Sequence, residues 1–244
     1  MNPLRCRYVT PALSMTLTVT MLWGCSSPPG KPRKGSEPVA PKEVLKFDTL
    51  YSENCSGCHG AEGRGGGAIA LADPLYLSIV DEATMRKVIT NGVHGTSMSA
   101  FAQSAGGMLT DDQINVITSG IRSNWGHEKI LGDPPSYFAK SMGNVQRGGV
   151  AYETFCESCH GPDGKGGTKA SDITNKSFLA LVSDQGLRTV VIVGRPELGA
   201  PDWRGNVPGK PMSDEEITDV VAWLTSHRNQ NPEQPEIITK NEPQ

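Results

Sequence analysis

The sequence lacks any cluster of basic residues and any apolar run long enough for a comfortable transmembrane span. Its 23 lysines and arginines are outnumbered by 26 acidic residues, and the formal net charge is −3. The chain therefore has no electrostatic footprint for nucleic-acid binding. An apolar stretch runs from about Ala12 to Trp23 and follows Arg5 and Arg7. A short apolar segment behind a basic segment is typical of a signal peptide.

Residues 1–24 are therefore predicted to be a signal peptide, and the segment Leu22-Trp23-Gly24-Cys25 resembles a bacterial lipobox. The resemblance implies cleavage before Cys25 and lipidation of its thiol. The chain would then be exported, as a membrane-anchored lipoprotein facing the periplasm or the cell exterior, with a formal net charge of −5 instead of −3. An uncleaved membrane anchor is the alternative, and it exports the chain as well. The proline-rich remainder of residues 25–42 cannot bury a core and is predicted to be a tether.

Cysteine is scarce, and four of the six cysteines fall into two copies of the pattern Cys-x-x-Cys-His. The copies are Cys55-Ser56-Gly57-Cys58-His59 and Cys156-Glu157-Ser158-Cys159-His160. This spacing is the attachment signature of c-type haem. One helical turn lets two thiols reach the two vinyl groups, and the next residue then falls under the iron. We therefore predict two haem c groups, attached through Cys55, Cys58, Cys156 and Cys159, with His59 and His160 as proximal ligands.

Three other uses of paired cysteines are weighed against this one. A zinc site would need a second pair of ligands, usually within about 20 residues. A thioredoxin-like redox pair would follow a strand in a βαβ unit, and no strand is predicted before either motif. A structural disulfide is compatible with export, but it does not explain a histidine directly after both pairs. Covalent haem is the preferred interpretation, with zinc and a redox disulfide as the alternatives.

The two motifs belong to an internal repeat that divides the chain into a first domain at 43–127 and a second at 143–229. Residues 128–142 are predicted to link them, and 230–244 to form a disordered tail. The periodicity predicts helices throughout. In the first domain, helices are predicted from near Glu43 with Leu45, Phe47, Leu50 and Tyr51 inward, over Thr84–Thr90, and from Thr110 with Ile114, Ile117 and Ile121 inward. In the second domain, they are predicted over Val145–Cys156, over Gln185–Val193, and from Ser213 with Ile217, Val220, Val221 and Leu224 inward. Gly120 stands where the repeat has Trp223, which indicates either a closer or a looser helix crossing in the first domain.

Each unit resembles a class I cytochrome c domain, and the whole chain resembles diheme bacterial cytochromes c. The resemblance implies an all-α fold of two tandem domains, each built around one covalently bound haem. In such domains a loop methionine some 35 to 45 residues after the proximal histidine is the second axial ligand. Met98 is in that place in the first domain, and Phe101 would pack near the haem.

The second domain departs from the family pattern. Counted from Gly194, the ligand position holds Ala200, which cannot bind iron. Met212 is one candidate for a displaced ligand, although it aligns with Leu109 as a core residue. The second option is a site with no protein ligand, and the third is His227 or another residue. We expect His94 and His127 to be surface histidines.

A haem with histidine and methionine ligands has no open position, so its natural work is one-electron transfer. We expect a membrane-tethered carrier, or a haem subunit of an oxidoreductase complex, in a respiratory or related chain. The expected redox partners are a quinol-oxidising complex, a terminal oxidase or a dehydrogenase. The alternative is a diheme peroxidase-like enzyme or a ligand-binding haem sensor that uses the second haem.

Overall fold

The computed structural model describes residues 39–128, 130 and 132–228. The predicted signal peptide, Cys25, most of the tether and the predicted tail lie outside this range. The described part is helical, with no strand in it beyond isolated bridges. In the first domain the α-helices are α1 (Phe47–Asn54), α2 (Ser56–His59), α3 (Pro74–Ile79), α4 (Glu82–Asn91) and α5 (Asp111–Trp125). In the second they are α6 (Val145–Phe155), α7 (Glu157–His160), α8 (Lys176–Leu179), α9 (Asp184–Val193) and α10 (Asp214–Ser226).

The last helix of each domain starts with the same device. Thr110 and Gln113 form a capping box at α5, and Ser213 and Glu216 form one at α10. Each pair satisfies two backbone N–H groups that a helix start leaves unpaired. The predicted inward residues of both helices are buried, which confirms the helical periodicity.

Two predictions at the start of the first domain need correction. The helix predicted from about Glu43 starts at Phe47, because Pro41–Glu43 forms a separate 3-10 turn. Leu45 lies in the connection between them and is 51 % exposed, so it does not belong to the core. The sequence reading also missed α3, whose start is set by the Asp73 side chain and by proline in the first turn.

The crossing of the first and last helices shows what occupies the space beside Gly120 in the first domain. In the first domain the ring of Phe47 lies against Gly120, where a Cβ atom would overlap it. In the second domain the large residue is Trp223 on the last helix. Its Cβ lies close to Gly148 on the first helix, where an added Cβ would also overlap the carbonyl of Asp219. The repeat thus pairs one large residue with one glycine at both crossings, on opposite helices. Gly120 therefore leaves room for the Phe47 ring, and the main chains of the two helices approach each other less closely than in the second domain, which is the looser crossing of the two expectations.

The predicted linker is held by the second domain. Gln185 and Arg188 of α9 donate to the main-chain carbonyl of Tyr137, at 2.7 and 3.1 Å. Arg188 is 1 % exposed and pairs with Asp214. Burial lowers the pKa of Arg188, and the charge of Asp214 partly offsets this by raising it. A buried guanidinium requires such partners. Among the described residues, no helix has the length and apolar character needed to cross a membrane.

Candidate haem-binding sites

Both Cys-x-x-Cys-His motifs form one tight helical turn. In the first motif the amides of Cys58 and His59 donate to the carbonyl of Cys55, at 3.2 and 3.0 Å. In the second motif the corresponding distances, to the carbonyl of Cys156, are 3.1 and 3.0 Å. Residues three and four apart in a helical turn share one face. Each turn therefore presents two thiols and an imidazole together, as covalent haem attachment requires.

The first thiol of each motif is protonated at neutral pH. Burial, with a smaller contribution from the neighbouring Cys58, raises the pKa of Cys55 to about 11. Burial, with a smaller contribution from Cys159, raises the pKa of Cys156 to about 12. None of the four motif cysteines forms a disulfide. The described residues also contain no group of three or more histidine, cysteine and acidic side chains that could hold a metal ion, so they offer no support for the zinc alternative.

Both motif histidines are oriented by a main-chain carbonyl that the sequence reading missed. Nδ1 of His59 lies 2.7 Å from the carbonyl oxygen of Ile69, and Nδ1 of His160 lies 3.0 Å from that of Ser171. A carbonyl accepts only, so Nδ1 carries the proton and the lone pair is on Nε2. Burial lowers the pKa of His59, opposed by this hydrogen bond. This partner arrangement is typical of histidines that bind metals.

A tyrosine holds the glycine that follows each motif. The hydroxyl of Tyr51 donates to the carbonyl of Gly60 at 2.9 Å, and that of Tyr152 donates to Gly161 at 2.5 Å. Gly60 has φ +85°, and a Cβ there would also overlap the carbonyl of Arg64. The left-handed conformation and the close contact both favour glycine. The chain can therefore turn away from the attachment site immediately after the histidine.

The two loops predicted to carry the second axial ligand are closed by the same main-chain hydrogen bond. Val93 donates its amide to the carbonyl of Met98 at 2.7 Å, and Arg195 donates its amide to the carbonyl of Ala200 at 2.9 Å. Ala200 therefore accepts the hydrogen bond that Met98 accepts in the first domain, and the two residues hold corresponding positions in their loops. Met98 is partly buried and packs against the hydrophobic core. Its role as an iron ligand stays a prediction.

Met212 occupies a core position. It is 1 % exposed, and its amide donates to the carbonyl of Trp203 at 2.9 Å. Leu109 makes the same bond to Phe101, at 2.7 Å, in the first domain. The Met212 sulfur lies 3.7 Å from the amide nitrogen of Asn206.

The remaining histidines lie at the surface or at a helix end. His94 and His127 are exposed, as expected. Nδ1 of His227 lies 2.9 Å from the carbonyl oxygen of Trp223, and the two rings meet edge to face at 4.5 Å. His227 is therefore tied to the end of α10.

The two domains meet at the attachment loop of the first. Arg195, next to the Ala200 loop, donates to the carbonyl of Gly66 at 2.7 Å and pairs with Glu197 at 2.5 Å. Burial of the Glu197 carboxyl raises its pKa, but the hydrogen bond with Arg195 and the charges of Arg195 and Arg64 together lower it. The sequence did not predict this contact, because no local pattern indicates that two residues so far apart in the chain are neighbours.

One further group fits a haem. The indole Nε1 of Trp203 is buried and has no hydrogen-bond partner within the described part of the chain. A buried N–H without a partner is costly, and a haem propionate is an acceptor that could satisfy it. The paired thiols, the oriented imidazoles and this donor together suit a covalently bound haem in the second domain.

Comparisons with known proteins agree with this chemistry. The family model for cytochrome c oxidase, cbb3-type, subunit III matches residues 43–119 and again 143–224. The Cbb3-type cytochrome c oxidase subunit CcoP of Azospirillum sp. (strain B510) is 33 % identical over 53 % of this chain and 45 % of its own length. The cytochrome bc1 complex cytochrome c subunit of Mycobacterium tuberculosis is 25 % identical over 72 % of this chain and 60 % of its own. The chain thus spans about half the length of these relatives.

A solved structure of the reducing HAO-like protein complex of Kuenenia stuttgartiensis covers 79 % of this chain and 98 % of its own. The identity is 16 % and the TM-score 0.43, too low to bear on function. The family match is stronger evidence, because it covers more than half of the chain and includes each Cys-x-x-Cys-His motif once. The chain belongs to the family of cbb3-type cytochrome c oxidase subunit III, as two tandem cytochrome c domains with two haem c groups.

Proposed function

We propose that this protein is a membrane-tethered diheme cytochrome that transfers single electrons in a respiratory or related electron-transport chain. The observation that carries the proposal is the contact between Arg195 and Gly66. It joins the ligand loop of one domain to the attachment loop of the other, so the two haem sites lie in one compact unit. Two redox centres held side by side suit an internal relay between partner proteins.

The residues of the first domain support a saturated iron site. Cys55 and Cys58 would hold the haem covalently, His59 would present Nε2, and Met98 would supply a thioether from the opposite loop. A haem c with these ligands supplies one Fe(III)/Fe(II) couple and no open position for a substrate. The protein's part is to bind, orient and bury the group, and so to set its potential.

The attachment chemistry of the second domain repeats that of the first. Cys156 and Cys159 would hold the second haem, and His160 would be its proximal ligand, with the carbonyl of Ser171 fixing the ring. Its second axial position is the point at which the domains differ.

Location and partners belong to the same proposal. The predicted lipobox supports export and anchoring through a lipid on Cys25, and the tether would hold the domains at the membrane surface. The names of the relatives place those proteins in an oxidase and in a bc1 complex. We therefore propose that this protein exchanges electrons with a quinol-oxidising complex as donor, and with a terminal oxidase or a dehydrogenase as partner.

Redox titration of the purified holoprotein tests this function. We expect two one-electron steps, and rapid reoxidation by membranes that contain a terminal oxidase. A matched sample with hydrogen peroxide as sole oxidant should show only slow, non-catalytic oxidation. Sustained peroxide consumption at enzymatic rates, or uptake of fewer than two electrons per chain, would contradict the proposal.

A further inference from the structure

At the end of the loop from Arg195 to Ala200, the second domain has the methyl side chain of Ala200. The corresponding loop of the first domain ends with the thioether side chain of Met98. From this we infer that the second haem iron binds a small neutral diatomic ligand of the π-acceptor class, such as carbon monoxide, in its Fe(II) state. The inference rests on the proposed function only in taking a haem c to be attached at Cys156 and Cys159.

The first step is the equivalence of the two loops. The same amide-to-carbonyl bond closes the loop from Val93 to Met98 and from Arg195 to Ala200. Because the same bond closes both loops, position 200 corresponds to position 98, although the second loop also contains the 3-10 turn Pro196–Leu198. Alanine lacks the Cγ, Sδ and Cε atoms of methionine. The chain thus provides no iron donor at this position, where the side chain is three heavy atoms shorter than methionine.

The second step concerns Met212, the nearest methionine downstream. Protein encloses its side chain on all sides, with 1 % of its surface exposed. Its amide is tied to Trp203, and its sulfur contacts the Asn206 amide. To reach a haem it would have to leave the core position that Leu109 fills in the first domain. Such a move would take a large apolar side chain out of the core and lose the free energy gained by its burial.

The third step concerns the other donors of the second domain. His227 is held at the end of α10 by the Trp223 carbonyl. Met142 is 71 % exposed and lies before α6. The ammonium of Lys210 lies 4.8 Å from the centre of the Phe155 ring, a cation–π contact that holds it there.

The charges around the loop select the ligand class. Both arginines of the segment are paired with carboxylates, Arg195 with Glu197 and Arg204 with Asp202. An anionic ligand needs a cationic donor that is not already neutralised. Ala200 and Pro201 are apolar, and the Trp203 indole offers a neutral N–H donor but no positive charge. A neutral diatomic molecule therefore fits better than an anion.

Carbon monoxide titration of the dithionite-reduced, full-length holoprotein tests the inference. Difference spectra should show one carbon monoxide bound per chain. Ala200→Met should abolish binding, and the matched control Ala200→Ser should keep it. Met98→Ala should raise the stoichiometry to two, since it opens the first haem in the same way. Met212→Leu should leave one bound.

Several results would overturn it. If the wild type binds no carbon monoxide while Met212→Leu binds one, Met212 is the ligand. If neither protein binds it, another donor fills the site. The wild-type stoichiometry decides the matter even if Ala200→Met does not fold. A pyridine haemochrome assay on the same samples counts the haems and so separates the two proposals. Fewer than two haems would overturn the proposed function. Two haems without carbon monoxide binding would overturn this inference alone.

Discussion

The guanidinium of Arg195 in the second domain donates to the main-chain carbonyl of Gly66 in the first, with an Nη2–O distance of 2.7 Å. Gly66 packs so closely on the first haem motif that a Cβ on it would overlap the carbonyl of Cys58. Arg195 therefore contacts the segment that supports one haem attachment turn, while its own amide closes the loop opposite the other. Glu197 holds the guanidinium in place from the second domain.

Arg195→Ala should loosen this contact. Loss of a hydrogen bond from a charged group typically costs about 1.5–3 kcal/mol. The Ala68 amide, which donates to Cys58 at 2.9 Å, should then exchange its hydrogen faster, and pulsed EPR should show a broader distribution of haem–haem distances. Arg204→Ala is the matched control, because Arg204 pairs with Asp202 inside its own loop. Equal effects from both variants would show that Arg195 has no special role between the domains.

The exchanged glycine at the helix crossings gives a second test. Gly120→Trp should destabilise the protein, since the Phe47 ring fills that space and overpacking costs about 1–3 kcal/mol. The double variant Gly120→Trp with Phe47→Gly copies the arrangement of Gly148 and Trp223 and should recover part of the loss. Chemical denaturation of the holoproteins measures both. A double variant less stable than the sum of its single changes would argue against the complementary pairing.

The attachment assignment predicts separate losses. Cys55→Ala with Cys58→Ala should remove one haem, and Cys156→Ala with Cys159→Ala should remove the other, because each turn supplies its own pair of thiols. Intact-mass spectrometry and haem-stained gels count the groups. Ser158→Ala is a control within the second motif that should keep both. Two covalent haems after either double change would refute the assignment.

The membrane anchor is tested at Cys25. Cys25→Ser should move the protein from the membrane into the soluble fraction or leave the signal uncut, because serine cannot form the thioether to the lipid. Cell fractionation and the mass of the mature N-terminus report the result, with Ser26→Ala as the control. A Cys25→Ser protein that fractionates and migrates like the wild type would exclude lipidation there.

Local patterns carried most of the prediction. The attachment turns, the capped helices and their buried faces depend on residues a few positions apart, so spacing alone indicates them. Leu45 shows the limit of this reasoning, because its apolar character says nothing about whether the helix has begun. The helix α3 was missed for a related reason, since it is short and its signal is a cap followed by proline.

The amino-acid sequence by itself determined the two Cys-x-x-Cys-His motifs, the tandem all-α repeat and the presence of alanine at position 200, because each depends on residue type and local spacing. Only the tertiary structure decided that Met212 is enclosed in the core, that glycine changes sides between the two helix crossings, and that Arg195 reaches Gly66. These features join residues that are distant in the chain, and their energies come from packing and from the burial of polar groups, which no local pattern encodes.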